Sequence, residues 1–225
     1  MPDAFQWRSW IDAEGLWCSG PGLTAPAGPG RRRPALFLDR DGVLVEEVGY
    51  LHDPDQARLL PYAADLLAWP KGRGWASVIV TNQSGVGRGY FDWRAFAATQ
   101  ARIEGLLAAK GARPDLLLAC PHSAAGRGHY LEREHPARKP RPGMLLRAAA
   151  RLNIDLAGSW IVGDRAGDLA AGRSAGLAGG ILLASGYGSE ARQVSAALGL
   201  GRDDFKSLVA RDAGEACALL TVLAR

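Results

Sequence analysis

From Pro34 onward, short apolar runs alternate with longer amphipathic stretches, and this alternation limits the possible folds more than any other feature. The apolar runs are Ala35–Leu38, Ala76–Val80, Leu116–Ala119, Trp160–Val162 and Gly180–Leu183. Each has strand length, and a strand that is apolar on both faces belongs in a sheet covered on both sides. Helices are expected between them. Pro61–Trp69 opens with proline in a first-turn position. Asp92–Ala109 has an N-cap aspartate and places Trp93, Phe96, Ile103 and Leu107 on one face. Met144–Leu152, Asp168–Ser174 and Ala213–Leu223 complete the set. The pattern predicts an α/β fold, a Rossmann-like three-layer sandwich with a mostly parallel central sheet. The connections between strands are short, so no separate cap domain is expected. Any site should be open, closed only by loops or a partner.

The chain has 225 residues and is 48% hydrophobic, enough for one domain with a substantial core. Residues 1–34 read as an N-terminal extension and 35–225 as the main domain. The extension carries Trp7, Trp10 and Trp17, followed by Gly20-Pro21-Gly22 and the stretch from Pro26 to Gly30, which is expected to hold no regular structure. Three tryptophans are too apolar for a solvated tail. They are expected to pack on their own domain or on a second copy, so self-association through the extension is one expectation. No apolar run approaches the roughly 20 residues of a membrane span, and no basic start followed by an apolar stretch marks a secretory leader. Cys18, Cys120 and Cys217 are scattered and odd in number, which fits a reducing cytoplasm better than a disulfide framework. The net charge of +4 is modest, and Arg31–Arg33 reads as a solvated tether. Without an aromatic and basic stripe, no nucleic-acid partner is expected.

In parallel sheets, ligands bind beyond the carboxyl ends of the strands, so polar residues should gather where the apolar runs stop. They do. The first run ends in Asp39-Arg40-Asp41-Gly42, the second in Thr81-Asn82-Gln83-Ser84-Gly85-Val86-Gly87-Arg88-Gly89, the third in Cys120-Pro121-His122 and the fourth in Gly163-Asp164-Arg165-Ala166-Gly167-Asp168. Alternation along extended backbone lets Asp39 and Asp41 face one pocket, an arrangement suited to a nucleophile and a proton carrier beside a divalent cation. The hydroxyls, amides and glycines after the second run, together with Arg88, suit phosphate. Asp164 points at the same rim and would help bind Mg²⁺. Asp168 is read either as a cap or as an acceptor for Arg165 or Lys139. Lys139, in Arg138-Lys139-Pro140, is able to neutralise a nucleophilic aspartate and a transferring phosphoryl group together.

The set Asp39-Arg40-Asp41-Gly42, Thr81-Asn82-Gln83-Ser84-Gly85, Arg138-Lys139-Pro140 and Gly163-Asp164 resembles the haloacid dehalogenase superfamily of phosphotransferases. More narrowly it is similar to the branch of histidinol-phosphate and D-glycero-D-manno-heptose 1,7-bisphosphate phosphatases. Gly49-Tyr50-Leu51-His52 and Arg138-Lys139-Pro140-Arg141-Pro142-Gly143-Met144 tilt the likeness toward the heptose enzymes. The resemblance implies that Asp39 becomes an aspartyl phosphate and that Asp41 is the general acid and base. It further implies that Mg²⁺ binds Asp39, the backbone carbonyl of Asp41 and Asp164. Thr81 and Lys139 would hold the phosphoryl oxygens. Asn82, Gln83, Ser84, Arg88, Arg138 and Arg165 would serve substrate binding, and Glu47, Gly49 and Tyr50 would shape the sugar end. The implied substrate is a small phosphorylated sugar, losing the 7-phosphate of the heptose bisphosphate. Histidinol-phosphate phosphatase, polynucleotide 3′-phosphatase and a phosphosugar-binding protein without turnover are the alternatives.

One departure concerns a second metal. The heptose enzymes usually carry a zinc loop with a Cys-x-His pair and then two cysteines. Here Cys120 and His122 remain, but the downstream positions are His135 and Ala137. Either His129 completes a Cys120, His122, His129, His135 zinc set, or the loop holds no zinc and is kept in shape by Tyr130, Pro136 and hydrogen bonds.

Overall fold

β3 (Ala35–Leu38) is the hub of the protein's sheet. A computed structural model describes residues 7–21 and 32–224. β3 pairs in parallel with β4 (Ala76–Asn82) on one side and β6 (Trp160–Gly163) on the other; Leu36 faces Ser77 and Trp160 across these pairings. Outward from β4 comes β5 (Leu116–Cys120), and outward from β6 come β7 (Gly179–Leu183) and β8 (Lys206–Ala210), all parallel. With β1 (Trp7–Ile11) and β2 (Trp17–Pro21) beyond β5, the full order is β1-β2-β5-β4-β3-β6-β7-β8. Its six parallel strands have the doubly wound Rossmann order, whose direction reverses at β3, and a crevice opens beyond the strand ends at such a reversal.

Alternation along the strands builds two cores. Leu36 and Leu38 face one layer, Ala35 and Phe37 the other, and all four are 0% exposed. The first layer packs α1 (Ala63–Ala68), α3 (Trp93–Ala108) and α7 (Ala213–Leu223) through residues such as Leu66, Ile103 and Leu220. The second packs α4 (Gly143–Leu152), α5 (Ala166–Ser174) and α6 (Ala191–Leu198) through Leu145, Leu169 and Ala197. The Asp92 carboxylate accepts the Ala95 N–H and starts α3 as expected. α1 starts later than expected, at Ala63, because Tyr62 adopts a left-handed φ of 60°. α2 (Ser84–Arg88) is a single short turn after β4. Among the described residues, neither the connection from β3 to β4 nor that from β5 to α4 contains a separate cap domain.

The N-terminal segment differs from expectation. β1 (Trp7–Ile11) and β2 (Trp17–Pro21) form an antiparallel hairpin, and β2 adds antiparallel to β5. Gly20 and Pro21 therefore lie in a strand. The pairing with β5 ends at Ser19, so the proline is not required to donate to that neighbour. Trp17 packs between Trp93 and Phe96, with centroids 5.6 Å from each, and the Arg151 guanidinium covers Trp10 at 4.6 Å. These two tryptophans are anchored on their own chain. Pro26 through Gly30 lie outside the described residues.

Candidate active site

Strand β3 delivers Asp39 to the crevice, where the residue is buried. Its Oδ1 accepts the Arg40 N–H at 2.8 Å and the Lys139 ammonium at 2.9 Å. Both donors fall on Oδ1, so Oδ2 is the oxygen that no protein donor occupies among the described residues. Lys139 also donates to Asp168 Oδ1 at 2.7 Å and to the Val80 carbonyl at 2.7 Å. All three ammonium protons are thereby used. Asn82 locks the lysine's backbone, donating to the Lys139 carbonyl at 3.0 Å and accepting its N–H at 3.2 Å.

Asp164 follows β6 and sits beneath this pair. Its Oδ2 accepts the Tyr187 N–H at 2.9 Å, while its buried Oδ1 has no hydrogen-bond partner. Gly42, at φ +79°, passes so close that a Cβ there would stand 2.3 Å from Asp164 Oδ2. Asp39, Asp164 and Asp168 each place one oxygen within 4.8 Å of the others. Three buried carboxylates thus cluster beside one lysine, which pairs with Asp39 and Asp168. Burial acts against the Lys139 ammonium, but Asp168 and Asp39 outweigh it and hold it above the ordinary lysine range. The surplus negative charge falls on the acids. Burial pushes the Asp39 carboxyl well up, against the pull of Lys139, and burial with Asp168 alongside pushes Asp164 up to about 7. An unpartnered buried oxygen, a cluster short of positive charge and an all-oxygen donor set fit a hard divalent cation such as Mg²⁺.

Above the carboxylates lies a cavity of about 500 Å³. It brings together every site residue expected from the sequence except Asp164, which lies below it: Asp39, Asp41, Glu47, Gly49, Tyr50, Thr81, Asn82, Gln83, Ser84, Arg88, Arg138, Lys139 and Arg165. Their duties are not uniform. The Gln83 side chain is buried and donates to Asp41 and Thr81, and Asn82 is spent on Lys139. Arg88, Arg138 and Arg165 give the mouth its positive charge. Arg165 lies over the Tyr187 ring at 3.5 Å, and Arg138 donates to the His122 carbonyl at 2.9 Å.

Sequence reasoning left Tyr187, Gln193 and Arg40 out of the site. Tyr187 and Gln193 follow β7, whose end carries no acidic or amide cluster, and both line the cavity. Asp168, left between two readings, fills both: it pairs with Lys139 and accepts the Arg165 N–H at 3.0 Å.

The zinc set does not assemble. His122 and His135 stack face to face, with centroids 3.7 Å apart and planes 6° from parallel. Their in-plane lone pairs therefore run side by side instead of converging on one ion. His122 Nε2 is engaged with the Glu14 carbonyl at 2.8 Å, and His135 Nδ1 accepts the Ala137 N–H at 3.2 Å. The nearest clustering joins these two rings with Glu132, without Cys120 or His129. Cys120 is fully buried in the second core, where burial pushes its thiol up to about 11, and His129 lies against Tyr130 at 3.8 Å. Protein contacts shape the loop instead, including Trp93 Nε1 donating to Tyr130 at 3.1 Å.

Known proteins share the sequence and the fold over much of the chain. Residues 136–199 match a family model described as "HAD-hyrolase-like". A D-glycero-beta-D-manno-heptose-1,7-bisphosphate 7-phosphatase of Mesorhizobium japonicum is 47% identical over 150 residues, covering 67% of this chain and 69% of the relative. A solved structure described as a putative HAD-like phosphatase from Mesorhizobium loti superposes with a TM-score of 0.81 at 38% identity, covering 96% of this chain and 97% of the other. The D,D-heptose 1,7-bisphosphate phosphatase of B. bronchiseptica, solved with magnesium and phosphate, superposes with a TM-score of 0.71 at 30% identity over 84% of this chain and 98% of the other. With this likeness over most of the fold, and with the motifs gathered at one rim, the chain belongs to the haloacid dehalogenase-like phosphatases, in the family of the heptose 1,7-bisphosphate 7-phosphatases.

Proposed function

We propose that the protein removes the 7-phosphate of D-glycero-D-manno-heptose 1,7-bisphosphate with the help of Mg²⁺. The chemistry rests on one observation above all. Three buried carboxylates cluster with a single lysine, which pairs with two of them, and Asp164 Oδ1 is left unpartnered. The substrate rests on the activity of the heptose bisphosphate 7-phosphatases to which the chain is similar and on an open, cationic mouth able to face a second phosphate.

Asp39, Asp164 and the Asp41 carbonyl would hold Mg²⁺. When bound, the ion shields the nucleophile from the phosphate's charge and polarises the phosphoryl oxygens. Lys139 fixes Asp39 through Oδ1. Asp39 Oδ2 attacks phosphorus as the ester P–O bond breaks, and the departing sugar oxygen takes a proton from Asp41. Water then gives its proton to Asp41 and attacks phosphorus, breaking the P–O bond to Asp39 and releasing inorganic phosphate. Thr81 supplies a hydroxyl donor to the phosphoryl oxygens, and Lys139, whose protons are held by Asp39, Asp168 and the Val80 carbonyl, supplies positive charge beside them, while Arg88, Arg138 and Arg165 meet the distal groups. Uncatalysed phosphomonoester hydrolysis is so slow that accelerations reach ~10²¹-fold, and positioned charge supplies most of such a gain. Free thiols at Cys18, Cys120 and Cys217 suit work in a reducing compartment such as the cytoplasm.

A panel of the heptose bisphosphate, histidinol phosphate and a 3′-phosphorylated oligonucleotide, assayed with Mg²⁺ and with EDTA, tests the proposal. The expected outcome is Mg²⁺-dependent turnover that favours the heptose bisphosphate. Equally poor rates on all three would reject it.

A further inference from the structure

We propose that Arg40 and Gln83 are positioning residues that clamp Asp41 for proton transfer, an inference that rests on the phosphatase reading above. Arg40 lies between the two motif aspartates, and its side chain runs from the cavity wall into the core. Its side chain is 1% exposed, and its guanidinium lies 5.3 Å from the centre of the Phe96 ring. Guanidinium is always charged, so a buried one requires a counterion. Among the described residues its ion-pair partner is Asp41. Arg40 Nε donates to both Asp41 oxygens at 3.2 and 3.1 Å, and Nη2 donates to Oδ1 at 2.9 Å. Nη1 is buried without a partner, so no second acceptor competes for the fork.

Gln83 closes the clamp from the other side. It leaves β4 on a backbone N–H that donates to the Cys120 carbonyl at 2.7 Å. From there Nε2 donates to Asp41 Oδ2 at 2.9 Å and to Thr81 Oγ1 at 2.9 Å. Asp41 is thus gripped from two segments, Oδ1 by Arg40 and Oδ2 by Arg40 and Gln83 together. Turning the carboxylate aside would strand a buried cation, so Asp41 waits in one orientation beside Thr81. Proton transfer by a positioned group contributes about 10²- to 10⁴-fold, and a misplacement of roughly 1 Å forfeits on the order of 10²-fold. The clamp protects that contribution. The other possible role is that of a core ion pair that merely keeps β3 folded.

Leaving groups separate the two roles. Nitrophenolate departs from Asp39-bound phosphorus without taking a proton, whereas a sugar alkoxide needs one. Hydrolysis of the phosphoenzyme needs Asp41 in either case. In Arg40→Lys and Gln83→Met, turnover of a sugar phosphate should fall about 10- to 100-fold. With p-nitrophenyl phosphate, the first equivalent of nitrophenolate should appear within about threefold of the wild-type rate, followed by a slowed steady state and an accumulating acid-trapped phosphoenzyme. Arg40→Met should be worse than Arg40→Lys. If Arg40 variants do not fold, Gln83→Met alone decides. First-turnover and sugar-phosphate rates falling by the same factor, or neither falling, would overturn the clamp. A wild-type enzyme that traps no phosphate on Asp39 would instead count against the aspartyl-phosphate reading itself.

Discussion

Two patches of the molecule are rich in metal-binding side chains, and they behave differently. The carboxylates at the ends of β3 and β6 converge, are buried, and keep one lysine among three acids. The imidazoles of the loop after β5 stack on each other and face separate partners, His122 toward Glu14's carbonyl and His135 toward the Ala137 N–H and the Glu14 carboxylate. Residue type alone does not distinguish a site from a scaffold. A surplus of buried negative charge marks the first, and stacked rings with lone pairs in parallel planes mark the second. Both patches still serve the same end. The turn of the β1–β2 hairpin is tied to α4, with Arg147 pairing with Asp12 at 2.5 Å and also with Glu14, and Glu14 in turn meets the two histidines. The loop so braced leads directly to Arg138 and Lys139.

The largest expected effect tests the carboxylate patch. Asp39→Asn keeps the shape and removes the nucleophile, so steady-state hydrolysis should fall by on the order of 10⁴-fold or more while phosphosugar binding, measured by calorimetry, persists. Next comes metal removal. EDTA should abolish turnover, Mg²⁺ should restore it, and Asp164→Asn should raise the Mg²⁺ concentration needed for half-maximal rate at least about tenfold.

A smaller effect concerns pH. Asp164 is pushed up to about 7, and Asp39 is raised too, so the metal-free folded protein binds more protons than the unfolded chain above pH 4. Stability of the metal-free protein should therefore be highest below pH 4–5 as far as these groups decide, and should fall as pH rises toward 7–8. Thermal melts in EDTA should show this decline, and Mg²⁺ should raise Tm more at pH 8 than at pH 6. The smallest effect belongs to the imidazole patch. His122→Ala should cost about 1–2 kcal/mol in stability through lost stacking, leave kcat within about threefold, and release no stoichiometric zinc by metal analysis.

Much of this was legible in the sequence because continuous apolar strands stop abruptly at polar clusters. Ala35–Leu38 followed by Asp39 placed both β3 and the proposed nucleophile, and the same reading found β4, β5, β6 and β7. β8 escaped because it opens on the exposed Lys206 and only Ala210 is fully buried, leaving just the short apolar run Leu208-Val209-Ala210 to see. α6 escaped because Ala197 is its one buried residue while Leu198 faces solvent. The hairpin was hidden by Gly20-Pro21, which reads as a breaker when the partner strand is unknown. Within the site, the sequence placed the residues but not the duties of Asn82 and Gln83. Both were expected at the substrate, and both turn their amides onto Lys139, Thr81 and Asp41. Such bonds join segments up to 57 positions apart, a separation no local pattern encodes.

The most direct test is to quench the Mg²⁺-loaded enzyme in acid during turnover and map the phosphorylated peptide by mass spectrometry. The account predicts one phosphate on Asp39, absent in EDTA and in Asp39→Asn. Phosphate on another residue, or undiminished turnover by Asp39→Asn, would contradict it.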